Sequence, residues 1–283
     1  MAKVLLGVIA SPRKRGNSEL FIKELYGQLK GDWQLKLMRL SELDIRPCRA
    51  CYQCLFGEMK CPIDDDFKMA LETLASADAY VVAAPTYLLA ANGSLKKFLD
   101  RGMSFYAHSD NMWGTPAVGI AIAGIEDMEG ITKLNVESFI KLTFGDLRGS
   151  DVVYGSFPGE IFLENGGRSA AKRLADALVE KPAKQEFPAG CCNLCGGDTF
   201  RFLPDGKIKC MLCSSIGDYE WRDNQLHFRT IDGGRSLFLT YADVLRHADW
   251  VRSMKEQFLA RRKELKAVTE QFADVGEWVR PNK

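Results

Sequence analysis

Along the chain, apolar runs of strand length alternate with stretches whose apolar residues recur at helical spacing. Lys3–Ala10 is an almost unbroken apolar strand that runs straight into the polar stretch Ser11-Pro-Arg-Lys-Arg-Gly-Asn-Ser18. Beyond it Ile22, Leu25, Tyr26 and Leu29 return every three or four residues, which predicts an amphipathic helix. Trp33–Arg39 reads as a second strand. Asp64–Ser76 reads as a helix with Phe67, Ala70, Leu71 and Leu74 on one face. Its opening triple Asp64-Asp65-Asp66 sits where the helix dipole favours negative charge. Ala79–Ala84 is a third strand, followed by the loop Pro85–Ser94 and a short helix marked by Leu95, Phe98 and Leu99. Pro116–Ala123 and Asp151–Phe157 supply two more strands, and Gly167–Glu180 a helix with Ala171, Leu174 and Leu178 inward. This alternation predicts an α/β fold over residues 1–180: five parallel strands with helices on both faces.

The pattern changes after residue 180. The segment 181–190 has two prolines, mixed charge and no period, and reads as a linker. Residues 191–232 form a small cysteine-bearing module, and 233–283 a helical extension. In that extension Val244, Val251, Phe258, Leu265 and Phe272 fall at strict seven-residue steps along a helix expected over Tyr241–Phe272. Such a stripe suits either a coiled-coil seam with a neighbouring subunit or packing back onto the chain's own small module.

Composition narrows the function classes. At 283 residues the chain has room for about two domains. A net charge of +1 argues against a dedicated nucleic-acid or membrane-surface protein. No apolar run approaches the ~18 residues of a spanning helix.

The cysteines carry the chemistry. Cys48, Cys51, Cys54 and Cys61 crowd into fourteen residues, with Pro62 after the last. Two consecutive two-residue spacers and one longer arm wrap a single thiolate run around a bulky object, which points to a 4Fe-4S cluster. Zinc and a disulfide knot are the competing readings, though zinc usually takes paired knuckles from separate loops. Such paired knuckles do occur later, as Cys192/Cys195 and Cys210/Cys213, separated by fourteen residues that contain the turn signal Asp205-Gly206. They predict a zinc ribbon, with rubredoxin-type iron as the alternative. Cys191 stays outside both sets. Eight thiols used as ligands imply a reducing compartment, hence a cytoplasmic protein.

The loop after the first strand would present backbone N–H groups and a helix N-terminus to an anion. The hydroxyls of Ser11 and Ser18, the Asn17 amide and the Arg13 guanidinium suit a phosphate monoester, and Gly16 permits a close turn. Neither a Walker loop nor G-x-G-x-x-G is present. Pro85–Leu88, at the end of another strand, offers a flat and partly apolar edge for a ring.

Ser-Pro-Arg-Lys-x-Gly-Asn-Ser together with Pro-Thr-Tyr…Gly-Ser-Leu-Lys-Lys-Phe-x-Asp-Arg resembles the NAD(P)H-dependent FMN reductase superfamily of flavodoxin-like proteins. With the compact cysteine run added, the chain is similar to the iron–sulfur flavoproteins. The resemblance covers roughly residues 1–180. It implies one FMN and one four-iron cluster per subunit, and a homo-oligomer, dimer or tetramer, in which the two centres communicate. By position, Ser11, Arg13, Asn17 and Ser18 match the phosphate-binding residues, and Thr86, Tyr87 and Leu88 match the loop against the flavin ring. The third flavin loop departs from the pattern. It begins at Gly124 but is not glycine-rich.

The expected function is electron transfer by a flavin-dependent oxidoreductase, from a ferredoxin-like donor to a small acceptor. An NAD(P)H-dependent FMN or quinone reductase is the alternative. A redox sensor that binds partners through the ribbon is the reading from another class. No general base is needed, and no catalytic role is assigned to His108 or its neighbours Tyr106 and Ser109.

Overall fold

The computed structural model describes residues 2–55, 58–180, 187–231 and 236–280. Five parallel strands form the main sheet: β1 (Lys3–Ile9), β2 (Trp33–Arg39), β3 (Ala79–Tyr87), β5 (Pro116–Ala123) and β6 (Asp146–Tyr154). Their spatial order is β2-β1-β3-β5-β6, and the two-residue β4 (Ala90–Ala91) folds back antiparallel on β3. The expected α/β architecture is therefore present, with the doubly wound order 2-1-3-4-5 when β4 is set aside.

Alternation along each strand sends side chains to two cores. One face carries Leu5, Ile9, Val81, Ala83, Ile120 and Ile122. It is covered by α1 (Asn17–Gln28) and α6 (Asn165–Val179), which contribute Phe21, Ile22, Leu25, Ala171, Leu174 and Leu178. The other face carries Leu6, Val8, Tyr80, Val82 and Ala84. It is covered by α2 (Phe67–Ala75), α3 (Gly93–Leu99) and α5 (Thr132–Leu142), with the one-turn α4 (Ser109–Met112) at its margin. Strands buried on both faces read as continuous apolar runs, and that made β1, β3 and β5 visible in the sequence.

Three elements differ from the sequence expectation. The helix α5 was absent from it, because only Val136, Phe139 and Ile140 mark its buried stripe among polar neighbours. The last strand begins at Asp146 rather than Asp151: β6 is an edge strand, and its polar first half gives no apolar run. The Asp64 triple lies ahead of α2, which starts at Phe67.

The linker's residues 181–186 lie outside the described residues. Beyond them, β7 (Phe200–Phe202), β8 (Ile208–Cys210), β9 (Ile216–Arg222) and β10 (Gln225–Thr230) form an antiparallel sheet in the order β10-β9-β8-β7. Asp223 and Asn224, at φ of 52° and 57°, make the two-residue turn between β9 and β10, the geometry a tight hairpin favours. Ile208, Leu212 and Phe228 form a small core that packs against Leu134 of α5 and Leu147 of β6.

The chain then enters α7 (Tyr241–Glu270), opened by a capping box in which Thr240 and Asp243 satisfy each other's backbone N–H groups. Val244, Ala248 and Val251 of α7 are buried in the core on the α2–α3–α5 face, beside Phe238. The helix root thus docks on the large sheet domain rather than on the ribbon. No described helix is long and apolar enough to cross a membrane.

Candidate active site

The carboxyl ends of β1, β3, β5 and β6 surround a cavity of about 220 Å³. Ser11, Arg13, Gly16, Asn17 and Ser18 line it from the first loop and the start of α1; Pro85, Thr86 and Tyr87 line it from the end of β3; Gly124 lines it from the end of β5. Nine of the ten residues expected to face the coenzyme therefore meet at one crevice. Leu88 does not line it. It sits at the tip of the β3 loop with φ of 50° and a fully exposed side chain. Ile122, Gly155 and Ser156 complete the wall and were not anticipated. Gly155-Ser156 directly follows β6, and that strand-end position was the available signal. A larger cavity of about 420 Å³ lies between β6 and α6, and it gathers none of the candidate residues.

The first loop is held in shape from behind. Arg39, at the end of β2, donates from Nη1 to the carbonyls of Ser11 and Arg13 at 2.9 and 3.0 Å, and from Nη2 to Glu19 at 2.6 Å. Glu19, buried in the first turn of α1, also accepts from Lys23 at 2.5 Å and from the Arg15 backbone N–H at 2.8 Å. The Lys23 contact chiefly, with Arg15 and Arg39 added, outweighs burial and lowers the Glu19 pKa to about 2. The Asn17 amide is engaged on both sides: it donates to the Gly155 carbonyl and accepts from the Gly159 N–H. Its role here is to tie the first loop to the loop after β6. The Ser11 and Ser18 hydroxyls, the Asn17 and Ser18 N–H groups, and the rest of the Arg13 guanidinium, whose Nη1 donates to the Ser156 carbonyl at 3.1 Å, are donors that suit a dianionic phosphate. Gly124 leaves space that a side chain would fill, since a Cβ there would lie 2.7 Å from the Ser156 Oγ.

A family model described as NADPH-dependent FMN reductase matches residues 4–135, the segment that contains both loops and the β5 end. That segment, just under half of the chain, is similar to the NADPH-dependent FMN reductases. By class, the chain stands with the flavin-dependent oxidoreductases. It is 27% identical over 124 residues to an iron-sulfur flavoprotein of Methanocaldococcus jannaschii, covering 42% of this chain and 64% of that protein. An iron-sulfur flavoprotein of Archaeoglobus fulgidus is 25% identical over 183 residues, covering 62% and 80% respectively. A solved structure named flavone reductase superposes with a TM-score of 0.72 at 17% identity, covering 99% of this chain and 100% of that one. That match concerns the fold, and it extends through the ribbon and α7.

In this FMN reductase relative the compact cysteine run occupies an enlarged loop between β2 and α2. Ala50, Tyr52 and Met59 take left-handed φ of 48–56°, so the loop winds sharply about its thiols. Burial, then the neighbouring Cys61, Cys51 and Cys48, raises the pKa of Cys54. Among the described residues these four sulfurs do not gather within 4.8 Å of one another, as those of the later quartet do. A multi-iron centre suits this donor set, because it needs thiolates spread wider than a single ion does.

The base of the loop is cinched by a buried ion pair. Arg101 donates from Nη1 to both Asp65 oxygens at 2.8 and 2.6 Å, with both side chains almost wholly buried. Asp65 also accepts from the Arg46 and Phe67 backbone N–H groups, and Asp66 accepts from Asp44. Residues 44–46 and 63–66, on either side of the thiols, are thereby locked together. Burial opposes the charge on Asp65, but the bonds from Arg101, Arg46 and Phe67 prevail and its pKa is lowered. Asp65 is thus a buried anchor rather than a simple dipole cap.

Cys192, Cys195, Cys210 and Cys213 bring their sulfurs within 4.8 Å of one another. The Cys192–Cys213 and Cys195–Cys210 separations are 3.8 and 3.6 Å. A tetrahedron with 2.3 Å metal–sulfur arms has edges of about 3.8 Å, so the quartet fits one ion. The two knuckles match: the N–H groups of Gly196 and Ser214, both at left-handed φ, return to the carbonyls of Cys192 and Cys210. Ser215, fully buried, lies 2.9 Å from the Cys213 sulfur and would orient it. Contacts from Cys195, Cys210 and Cys213 drive the Cys192 pKa far down, while Cys195 and Cys210 are pushed up. A bound divalent cation would let all four ionise together.

Tyr106 lies away from the cavity, packed against Phe144 and His247 of the α7 root, with its hydroxyl 2.5 Å from His247 Nδ1. Ser109 bonds back to the Tyr106 carbonyl. The segment containing His108 therefore does not close over the crevice.

Proposed function

We propose that the protein is an FMN- and 4Fe-4S-containing oxidoreductase that passes electrons between a one-electron, ferredoxin-like donor and a small acceptor. The observation that carries this reading is the convergence of nine expected coenzyme residues on one crevice, in a segment similar to the FMN reductases that also has a compact four-thiolate loop. Ser11, Arg13, Ser18 and the α1 N-terminus would hold the FMN phosphate. Cys48, Cys51, Cys54 and Cys61 would ligate the cluster. Cys192, Cys195, Cys210 and Cys213 would hold zinc, with rubredoxin-type iron as the other candidate. In this reading residues 1–180 are the flavin unit, 191–232 the ribbon and 233–283 the helical extension of a cytoplasmic homo-oligomer.

When bound, FMN would supply exchange between one- and two-electron chemistry, and the cluster would supply single electrons. The chain's task is positioning. Arg39 and Glu19 hold the phosphate loop, Asn17 ties it to the β6 loop, and the Asp65–Arg101 pair sets the span of the cysteine loop. At about 220 Å³ the crevice falls below the ~300–1,000 Å³ of most small-molecule sites. It would take the phosphate end, leaving the ring at the mouth. Tyr87, Leu88, Leu89, Ile125 and Met128 make that mouth apolar and exposed. The Ile131 N–H holds the β5 loop to the Leu89 carbonyl at 2.8 Å. An apolar platform beside the ring favours a second reading, an NAD(P)H-dependent FMN or quinone reductase, in which a planar donor or acceptor stacks there.

Protein prepared without air should contain one FMN, four irons with matching sulfide, and one further metal per chain. Stopped-flow bleaching separates the two readings. Fast reduction by ferredoxin with slow reduction by NADPH supports electron transfer, and the reverse order supports the reductase. Colourless anaerobic protein would overturn both.

A further inference from the structure

We infer that the outer part of α7 is a self-association surface, on which the same segment of a second copy of this chain packs as a coiled coil. The inference does not depend on which cofactors the protein holds. Val251, Phe258 and Leu265 are spaced by sevens, and Met254 and Val268 by fourteen, three residues behind the Val251 and Leu265 positions. This is the a/d pattern of a coiled-coil seam. Only its root is covered: Val244 and Val251 are buried against the large domain. Farther out Phe258 is 53% and Val268 50% exposed on the helix. Phe272 and Val275 follow at 65% and 73%, where i→i−3 backbone bonds continue the winding past Glu270.

A helix that only braced its own domain would have no reason to keep this stripe in water. From Arg252 to Glu270 the helix runs for roughly 28 Å. Taking ~150–200 Å² per large apolar side chain, the exposed seam offers roughly 500 Å² per copy. Pairing two copies would remove on the order of 1,000 Å² from water, about the lower bound for a specific interface. The flanking charges do not oppose it. Arg252–Asp249, Arg261–Glu264 and Lys266–Glu270 are paired along their own helix at 2.9–3.3 Å. Arg261 occupies the one polar seam position, a device that sets register at some cost in stability. A second copy is favoured over an unrelated partner because every outer seam position except Arg261 then meets an apolar stripe of the same period.

The test is sedimentation equilibrium on the full-length, cofactor-loaded protein, with Phe258→Glu/Phe272→Glu as the seam variant. Lys263→Glu, on the opposite exposed face, serves as the control. The inference expects an oligomeric parent and control and a halved mass for the seam variant, with flavin content and helix signal unchanged near the docked root. A monomeric parent at ten micromolar would overturn it. So would an oligomer whose mass the seam variant leaves intact, or a mass explained by a different bound polypeptide.

Discussion

Replacing Glu19 with Gln tests how the phosphate loop is held. In the fold the carboxylate is buried and bonded to Lys23, Arg39 and the Arg15 N–H. Its pKa is lowered from 4.5 to about 2. A shift of ~2.5 units corresponds to ~3.4 kcal/mol at most, at about 1.36 kcal/mol per unit. The half-exposed Lys23 ammonium is screened by water, which reduces the useful part to about 1–2 kcal/mol. Because the folded pKa lies below the unfolded one, this contribution is fully present above pH 4.5. It fades as pH falls toward 2. Urea unfolding of Glu19→Gln should therefore show a loss of about 1–2 kcal/mol at pH 7 relative to the parent, and a gap that narrows steadily below pH 4.5. Protonation of metal ligands affects both proteins alike, so the difference isolates Glu19. Arg39 would lose its charged bond to Glu19 while keeping Glu42 at 3.4 Å and the Ser11 and Arg13 carbonyls, so the flavin dissociation constant should rise several-fold. A stability gap that stays constant from pH 7 to pH 3 would refute the reasoning.

Three further outcomes are expected. Arg101→Met leaves the buried Asp65 with only the looser Arg46 pair at 3.7 Å, which should cost about 3 kcal/mol. Iron per chain should fall far more than flavin per chain in metal analysis, and equal losses would mean that the pair serves general stability alone. Gly124→Ala places a methyl against Ser156 Oγ and should weaken flavin binding about tenfold, ~1.4 kcal/mol, with little change in melting temperature. An unchanged flavin titration would remove Gly124 from the site. Cys192→Ser should release one metal ion per chain and loosen the ribbon, detected as faster proteolysis between residues 187 and 231. The visible flavin spectrum should persist, and a variant that keeps its full metal complement would contradict the ribbon assignment.

Much of the site was legible because its signals are local. The Ser11–Ser18 loop follows a buried strand and opens a helix, and strand ends on one side of a parallel sheet converge whatever their separation in the chain. Nine residues could therefore be assigned to one crevice from three loops spread between Ser11 and Gly124. Ser215 was missed because a serine two residues past a knuckle has no distinctive pattern; only the folded β8–β9 turn brings it to the sulfurs. The Asn17 amide shows what local pattern leaves out. Its type and position suit phosphate, yet it faces Gly155 and Gly159, some 140 residues later.

What the sequence by itself determined is whatever a short stretch of chain encodes: the buried strands, the polar Ser11–Ser18 loop, the two thiolate groupings and the seven-residue stripe of the last helix. Periodicity and ligand spacing are properties of neighbouring residues, and neighbours stay together on folding. Only the tertiary structure decided which charges became buried partners, as Asp65 did with Arg101 and Glu19 with Arg39. It also decided that α7 docks by its root on the large domain and leaves its outer seam exposed. Those outcomes depend on contacts between distant segments, where burial strengthens a chosen pair and penalises every unpaired charge, and no local pattern records that choice.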